Sequence, residues 1–159
     1  MNKEISRTIT VCCSDSGAVI TVPFDAAEIA TDIKTSLEKY LLKNGVAVQW
    51  SEQGTRSDLV IRLVQINKGH WLRHWNPGLL GILLGFRRFD PFIEVEWQMT
   101  AAGSSPQDFH YVQRATEAWV STGLGAEGFF GNALRGLLKR AAQQIADKIG
   151  EDMLRSMGR

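Results

Sequence analysis

The stretch that decides the fold is Phe92-Ile-Glu-Val-Glu-Trp-Gln-Met-Thr-Ala101, in which apolar and polar side chains alternate. Side chains alternate across a strand, so its apolar positions share one face and its polar positions the other. Gly103-Ser-Ser-Pro106 supplies turn residues, and Phe109 to Val120 is again β-prone. The pattern predicts a hairpin with one face in water, where Glu94 and Glu96 would lie.

Further elements can be placed outward from this hairpin. β-prone runs predict strands at Thr8–Cys13, Ala18–Phe24, Val46–Trp50 and Ser57–Ile66, and whether the first two form a hairpin or one interrupted strand stays open. Asp25 and Glu28 resemble a capping box, and Asn44-Gly45 supplies a helix stop. We predict an α+β fold with a mainly antiparallel sheet of about four to six strands and two helices, about 26–43 and 130–156, packed on one face.

Length and composition bound the class of protein. The chain has 159 residues, 44% of them hydrophobic and 22% charged, which fits one domain over residues 1–159 with a real core. Its net charge of +1 argues against a dedicated nucleic-acid binder, which would usually be clearly basic. Cys12 and Cys13 are adjacent and predicted on opposite faces of a strand, so we expect two reduced structural cysteines.

Two patterns resemble functional motifs, but the sequence around each of them does not support the function. Gly123-Leu-Gly-Ala-Glu-Gly128 matches a dinucleotide fingerprint, but we do not expect the second parallel strand that this motif needs after the last helix. His70 and His74 have helical spacing, but Gly69 and Pro77 leave little room for a helix and no third ligand is nearby. We therefore predict no catalytic residue, no cofactor and no metal.

Residues 68–92 form an apolar insertion, rich in Gly and Trp, that departs from this pattern. Residues 78–86 carry no polar side chain, and residues 68–88 hold four basic side chains and none that is acidic. Residues 89–128, in contrast, hold one basic and six acidic side chains. The candidate interaction residues are Trp71, Arg73, Trp75, Leu79, Leu80, Ile82, Leu83, Leu84, Phe86, Arg87 and Arg88.

Three interpretations of this insertion stay open. It could fold back as a lid over the core, form an interface with a second copy or another protein, or insert shallowly into a membrane. It is too short to span a bilayer as a helix, which needs about 20 residues. The opposite charges of the two segments would suit head-to-tail self-association or contact with an anionic surface.

The order of motifs also resembles a family of small bacterial cell-envelope domains, often lipoproteins, of mixed α+β fold. The resemblance covers about residues 26–150 and rests on Asn44-Gly45, Ser57-Asp-Leu-Val-Ile61, Lys68-Gly69, Gly78, Gly81, Gly85, Phe86-Arg87, Ile93-Glu-Val95, Gly128-Phe-Phe-Gly131, Ala141-Ala142, Ile145-Ala146 and Ile149. It implies association with the envelope, on the periplasmic side, and offers no catalytic residue. We expect the chain to depart from this family in having no signal peptide and no anchoring cysteine, because no apolar segment of secretory length follows Met1–Arg7.

The resulting functional hypothesis is a non-enzymatic envelope-type domain that contacts a protein, a second copy or a membrane surface through residues 68–92. The alternative is a module that binds a lipid or another amphiphile in a pocket between this segment and the sheet. Apolar walls with cations at the mouth would suit an anionic amphiphile.

Overall fold

A computed structural model describes residues 4–14, 18–22, 25–51, 56–69, 86–100, 105–115, 118–121 and 127–158. Its elements in chain order are β1 (Arg7–Ser14), β2 (Val19–Ile20), α1 (Ala26–Lys43), β3 (Val46–Ser51), β4 (Leu59–Asn67), β5 (Phe86–Phe89), β6 (Phe92–Met99), β7 (Gln107–Arg114), β8 (Ala118–Ser121) and α2 (Glu127–Ser156). The two predicted helices are confirmed, and the second begins a little earlier than expected.

A six-stranded sheet organises the fold in the order β3-β1-β4-β6-β7, with β2 also paired to β4. The α+β class is confirmed, as is the hairpin formed by β6 and β7. The sheet is less antiparallel than expected, because β1 pairs in parallel with both β3 and β4, and β2 pairs in parallel with β4. Only the β4–β6 and β6–β7 pairs of this sheet are antiparallel.

The first two strands lie one after the other along the same edge of β4. Ser14 is level with Arg62 and Val19 with Gln65, and both strands run parallel to β4. Of the two arrangements that the sequence left open, the structure therefore selects the interrupted strand. It carries a parallel pairing that a hairpin could not provide.

Both helices cover the same face of the sheet. Asp25 caps α1 by accepting a hydrogen bond from the Ala27 backbone N–H at 3.0 Å, and Gly45, with φ of 79°, follows its end. The helices run in the same direction, since Glu28 pairs with Arg135 near one end and Tyr40 lies against Gly150 near the other. The core between helices and sheet holds Ile9, Val11, Ile29, Ile33, Leu37, Leu41, Leu59, Ile61, Leu63, Ile93, Val95, Trp97, Leu134, Leu138, Ile145 and Ile149.

The opposite face of the sheet is left open by the two helices. Glu94 and Glu96 on β6 and His110 on β7 lie there, as the alternation predicts. Cys12 is buried, in agreement with a structural role, and the Cys13 side chain lies outside the described residues. The single-domain assignment over residues 1–159 stays a prediction, and most of its insertion, residues 70–85, also lies outside them.

Candidate contact site

A two-stranded ribbon, made of β5 and β8, continues the β6–β7 hairpin beyond the end of the main sheet. Phe89 pairs with Ala118 and Phe86 with Ser121, so the ribbon is antiparallel like the hairpin that it extends. Among the described strands, β5 and β8 pair with each other alone. The end of the ribbon that is far from the sheet is therefore the Phe86–Ser121 pair, about 10 Å from Phe89 at the usual rise of a strand.

A junction of backbone and polar contacts joins the ribbon to the sheet. The Ala115 N–H donates to the Pro91 carbonyl at 2.8 Å and closes the hairpin between its two parts. Arg114 donates from Nη1 to the Asp90 carboxylate, and its guanidinium carbon lies 5.8 Å from the centre of the Phe92 ring. These contacts hold the last residues before β6 against the end of β7, so they set the direction in which the ribbon leaves.

The segment after β4 leaves the sheet at the same junction. Gly69 lies so close to Asp90 that a Cβ atom built on it would be 2.1 Å from the Asp90 carbonyl oxygen, and its φ is +83°. Its N–H donates to Asn67 Oδ1 at 2.8 Å, while the Lys68 N–H donates to Thr21 Oγ1 at 3.0 Å. Only glycine fits this position, because a side chain would meet backbone atoms and the conformation is left-handed.

These contacts define both ends of the segment that carries the apolar run. Residues 70–85 begin beside the junction at Gly69 and end next to Phe86, at the far end of the ribbon. Residues 122–126, which contain the first glycines of the Gly123–Gly128 motif, begin next to Ser121 at that same far end. The two segments that stood out in the sequence therefore meet the described structure at the same end of the ribbon.

The predicted interaction residues divide between described and undescribed parts of the chain. Phe86, Arg87 and Arg88 lie on β5, where they pair with Ser121, Val120 and Trp119. The others lie outside the described residues: Trp71, Arg73, Trp75, Leu79, Leu80, Ile82, Leu83 and Leu84. The pocket proposed as an alternative would have this same segment as a wall, so it too stays a prediction.

The acidic side chains on the open face of the sheet are already paired across the strands. Glu94 Oε1 lies 2.6 Å from His110 Nε2, and Glu96 Oε2 lies 3.8 Å from Arg62 Nη1. The Gln98 amide donates to Asp108 Oδ1 at 2.8 Å. Sequence reasoning missed these pairs, although the hairpin register, once known, places His110 opposite Glu96 and one step from Glu94.

Within the described ranges, no group of three or more His, Cys, Asp or Glu side chains is placed to hold a metal ion. His70 and His74 lie outside the described residues, and His110 is the partner of Glu94. No helix in the described part of the chain combines the length and apolar character needed to cross a membrane.

Comparisons with known proteins show which solved structures have a similar fold. No family model and no curated protein matches the sequence. Among solved structures, a neuraminyllactose-binding hemagglutinin homolog from Helicobacter pylori aligns with a TM-score of 0.56 at 11% identity, covering 95% of this chain and 87% of that one. Rare lipoprotein B from Shewanella oneidensis aligns with a TM-score of 0.55 at 13% identity, covering 93% and 96%.

A third solved structure comes from Xanthomonas campestris, a protein of the family DUF330. It aligns with a TM-score of 0.51 at 10% identity, covering 98% of this chain and 88% of that one. Identities this low carry the architecture and no site residues. The resemblance predicted from the sequence is confirmed at the level of the fold: this chain shares the architecture of a bacterial lipoprotein, rare lipoprotein B, and of the DUF330 protein.

Proposed function

We propose that this chain is a non-enzymatic envelope-type domain that contacts an anionic membrane surface through residues 68–92. The observation that carries the proposal is the ribbon. Its far end, at Phe86, joins directly to an apolar run, and Arg87 and Arg88 follow within β5. The strand register of this ribbon continues the β6–β7 hairpin past the end of the main sheet.

The composition of the segment favours lipid as the contact. Residues 68–88 combine an apolar run with four basic and no acidic side chains. Tryptophans suit the headgroup level of a bilayer, and each cation near an anionic leaflet contributes about 1 kcal/mol of attraction. A run this short would enter the interface without crossing it. The segment has the chemistry of a shallow membrane anchor.

The acidic side chains on the open face already have partners, which argues against the main alternative to membrane contact, head-to-tail association with a second copy. The basic segment would then need acidic partners elsewhere on the molecule. Glu94, Glu96 and Asp108 are the acids of the open face, and each already has a partner across the strands. Breaking these contacts to form exposed ion pairs would gain little, because such pairs contribute about 0–1 kcal/mol.

The fold supports an envelope location for this activity. Rare lipoprotein B, whose architecture the chain shares along nearly its whole length, is a lipoprotein by name. A domain with this fold, held near a membrane, would meet lipid headgroups at high local concentration. The ribbon would then add a second, protein-borne contact with the same surface.

Sedimentation with liposomes tests the proposal. The wild-type chain should sediment with vesicles that contain about one third phosphatidylglycerol, and much less with pure phosphatidylcholine. Leu80→Asp/Leu83→Asp should abolish sedimentation, because two carboxylates cannot enter the apolar interface. Arg87→Glu/Arg88→Glu should lower it at least tenfold on the anionic vesicles, because it reverses two charges.

The matched control is Lys139→Glu/Arg140→Glu, which makes the same charge change on two exposed residues of α2. It should sediment like the wild type. Equal loss in both charge-reversal variants would contradict the proposal, since attraction would then follow net charge alone. A different result would assign the contact to a second copy instead. In that case the wild type would not bind liposomes, its mass in light scattering would rise with concentration, and Leu80→Asp/Leu83→Asp would abolish that rise.

A further inference from the structure

A cavity of about 230 Å³ opens at one end of the main sheet, away from the ribbon. It lies where β1 begins, where β6 ends and where the last turn of α2 meets them. Three methionines line it: Met99 from β6, Met153 from α2, and Met157 from the turn that follows α2. The whole chain contains four methionines, so three of the four meet in one place.

The three side chains are enclosed to different degrees. Met99 and Met153 are buried, with 4% and 3% of their surface exposed, and Met157 is half-buried. The backbone N–H of Met157 donates to the carbonyls of Met153 and Leu154 at 3.2 and 3.1 Å, which fixes the turn. Two of the three methionines that line the cavity are therefore buried, and the third is partly exposed.

Methionine usually serves a core by filling irregular gaps with its flexible side chain. Here three such side chains line one cavity together with Arg7, Asp58, Thr100 and Ser156. Thioether sulfur is a soft ligand that prefers Cu(I) to hard cations such as Mg²⁺ or Ca²⁺. The described residues offer no His, Cys, Asp or Glu cluster that would select Zn²⁺ or another divalent ion instead.

We propose that this cavity binds a soft monovalent cation, Cu(I), through the thioethers of Met99, Met153 and Met157. No covalent or redox step is involved, since the ion enters already reduced. The same three neutral ligands would accept Ag(I), which has the same charge and the same preference for sulfur.

The charged residues at the cavity do not oppose a cation. Arg7 and Asp58 both line it, and their opposite charges cancel. Asp58 Oδ2 accepts a hydrogen bond from the Thr10 N–H at 2.9 Å, which holds its carboxylate at the start of β4. The Ser156 hydroxyl is directed elsewhere, because it donates to the Met153 carbonyl at 2.7 Å. Thr100 also lines the cavity, and the three thioethers are the soft ligands among its lining residues.

Ag(I) titration of protein labelled with ¹³C at the methionine methyl groups tests the proposal, because each methionine gives its own signal. Three of the four methyl signals should shift as Ag(I) saturates one site, and the Met1 signal should stay in place. Cys12→Ala/Cys13→Ala should show the same three shifts, which separates thioether binding from binding by thiols. The wild type titrated past saturation of its thiols gives the same answer should that variant fail to fold.

Met→Leu substitutions test the ligands one at a time. Met153→Leu and Met157→Leu nearly conserve side-chain volume and should leave the fold intact. Each should lower the affinity for Cu(I) at least tenfold in competition with a chromophoric Cu(I) chelator under anaerobic conditions. Unshifted methyl signals, or Met→Leu variants that bind Cu(I) like the wild type, would overturn the proposal.

Discussion

The β6–β7 part of the main sheet and the ribbon are formed by the same two lengths of chain, and the contacts described for the two parts differ. Where β6 and β7 lie in the sheet, Val95 and Trp97 are buried beneath the helix layer, and Trp97 stacks on Phe109 with 5.5 Å between ring centres. Beyond Pro91, the same hairpin continues as the ribbon, and a backbone hydrogen bond and the Asp90–Arg114 pair mark the transition. Apolar packing stabilises the first region, and a small polar junction joins it to the second.

Because of this difference, we expect some substitutions to change the free energy of unfolding and others to change the membrane contact. A substitution in the helix-covered sheet should change the free energy of unfolding and leave the ribbon's membrane contact intact in the molecules that stay folded. A substitution at the junction should redirect the ribbon at a smaller or similar cost in stability. Substitutions in the core, at the junction and on the helix layer can show whether stability and membrane contact change independently.

The largest effect is expected in the core, from Leu138→Ala on α2. Leu138 is fully buried, so its truncation leaves a cavity and should lower the free energy of unfolding by about 2–5 kcal/mol. Urea unfolding measures this loss. Liposome sedimentation of the folded fraction should stay unchanged, and a parallel loss of sedimentation would show that core and ribbon are not separable.

At the junction, Gly69→Ala should both destabilise the chain and weaken liposome binding. The left-handed backbone alone should cost about 1–2 kcal/mol, and the added Cβ would also push Asp90 away. Gly158→Ala is the matched control, because Gly158 has φ of +76° with open space around it. It should show the backbone cost alone and normal sedimentation. Equal sedimentation by both variants would contradict an orienting role for the junction.

Two glycines of α2 provide a paired test of the helix layer. A Cβ atom on Gly150 would lie 2.3 Å from Tyr40 Cδ1, so Gly150→Ala should overpack the helix contact and cost about 1–3 kcal/mol. Gly136 has no such neighbour, and Gly136→Ala should stabilise the helix by about 0.5–1 kcal/mol. Thermal unfolding compares the two. Effects of the same sign would show that the Tyr40–Gly150 contact is not close.

The smallest effect is expected on the solvent side of the helix layer. Partial burial, and then the Glu151 carboxylate, raise the pKa of Asp147 above its ordinary value. The raised pKa in the folded state means that stability is greatest below the ordinary pKa, about 3.9, and falls as the pH rises through the folded-state value.

Asp147→Asn should therefore stabilise the chain at pH 7. Because the group is exposed to solvent, the gain should be about 0.2–0.5 kcal/mol, the usual size of a like-charge pair four residues apart in a helix. Urea unfolding at pH 7 and pH 3 measures it, and the gain should vanish at the lower pH. A gain of the same size at both values would assign it to helix propensity instead of charge.

Local patterns of the sequence predicted much of this fold. Asp25 and Asn44-Gly45 mark the ends of α1, because capping depends on neighbouring residues. The alternation of residues 92–101 predicts β6 and its solvent-facing side. The parallel pairing of β1 with β4 was not predictable in this way, because it depends on how the chain between them crosses. Whether a strand pairs in parallel is decided by connections that strand periodicity does not record.

The candidate sites show the same limit. Residues 68–92 stood out because their composition departs from the rest of the chain. Their position beside the ribbon, however, depends on a close contact between Gly69, which follows β4, and Asp90, which precedes β6. Met99 and Met153 each fit the apolar face of an ordinary element, so nothing local marks them as neighbours. Sites made of residues distant in sequence need the register and the helix packing before they can be recognised.

The most direct test of the central claim is quenching of tryptophan fluorescence by brominated lipid in anionic vesicles. The bromine atoms should quench part of the wild-type emission, and that quenching should fall in Trp71→Phe/Trp75→Phe to the part that Trp119, paired with Arg88 on the ribbon, contributes. It should persist in Trp50→Phe, which removes a tryptophan on β3 that is paired through its Nε1 with Glu38. Quenching in Trp71→Phe/Trp75→Phe that equals the wild-type quenching, or none in the wild type, would contradict contact between the membrane and residues 68–92.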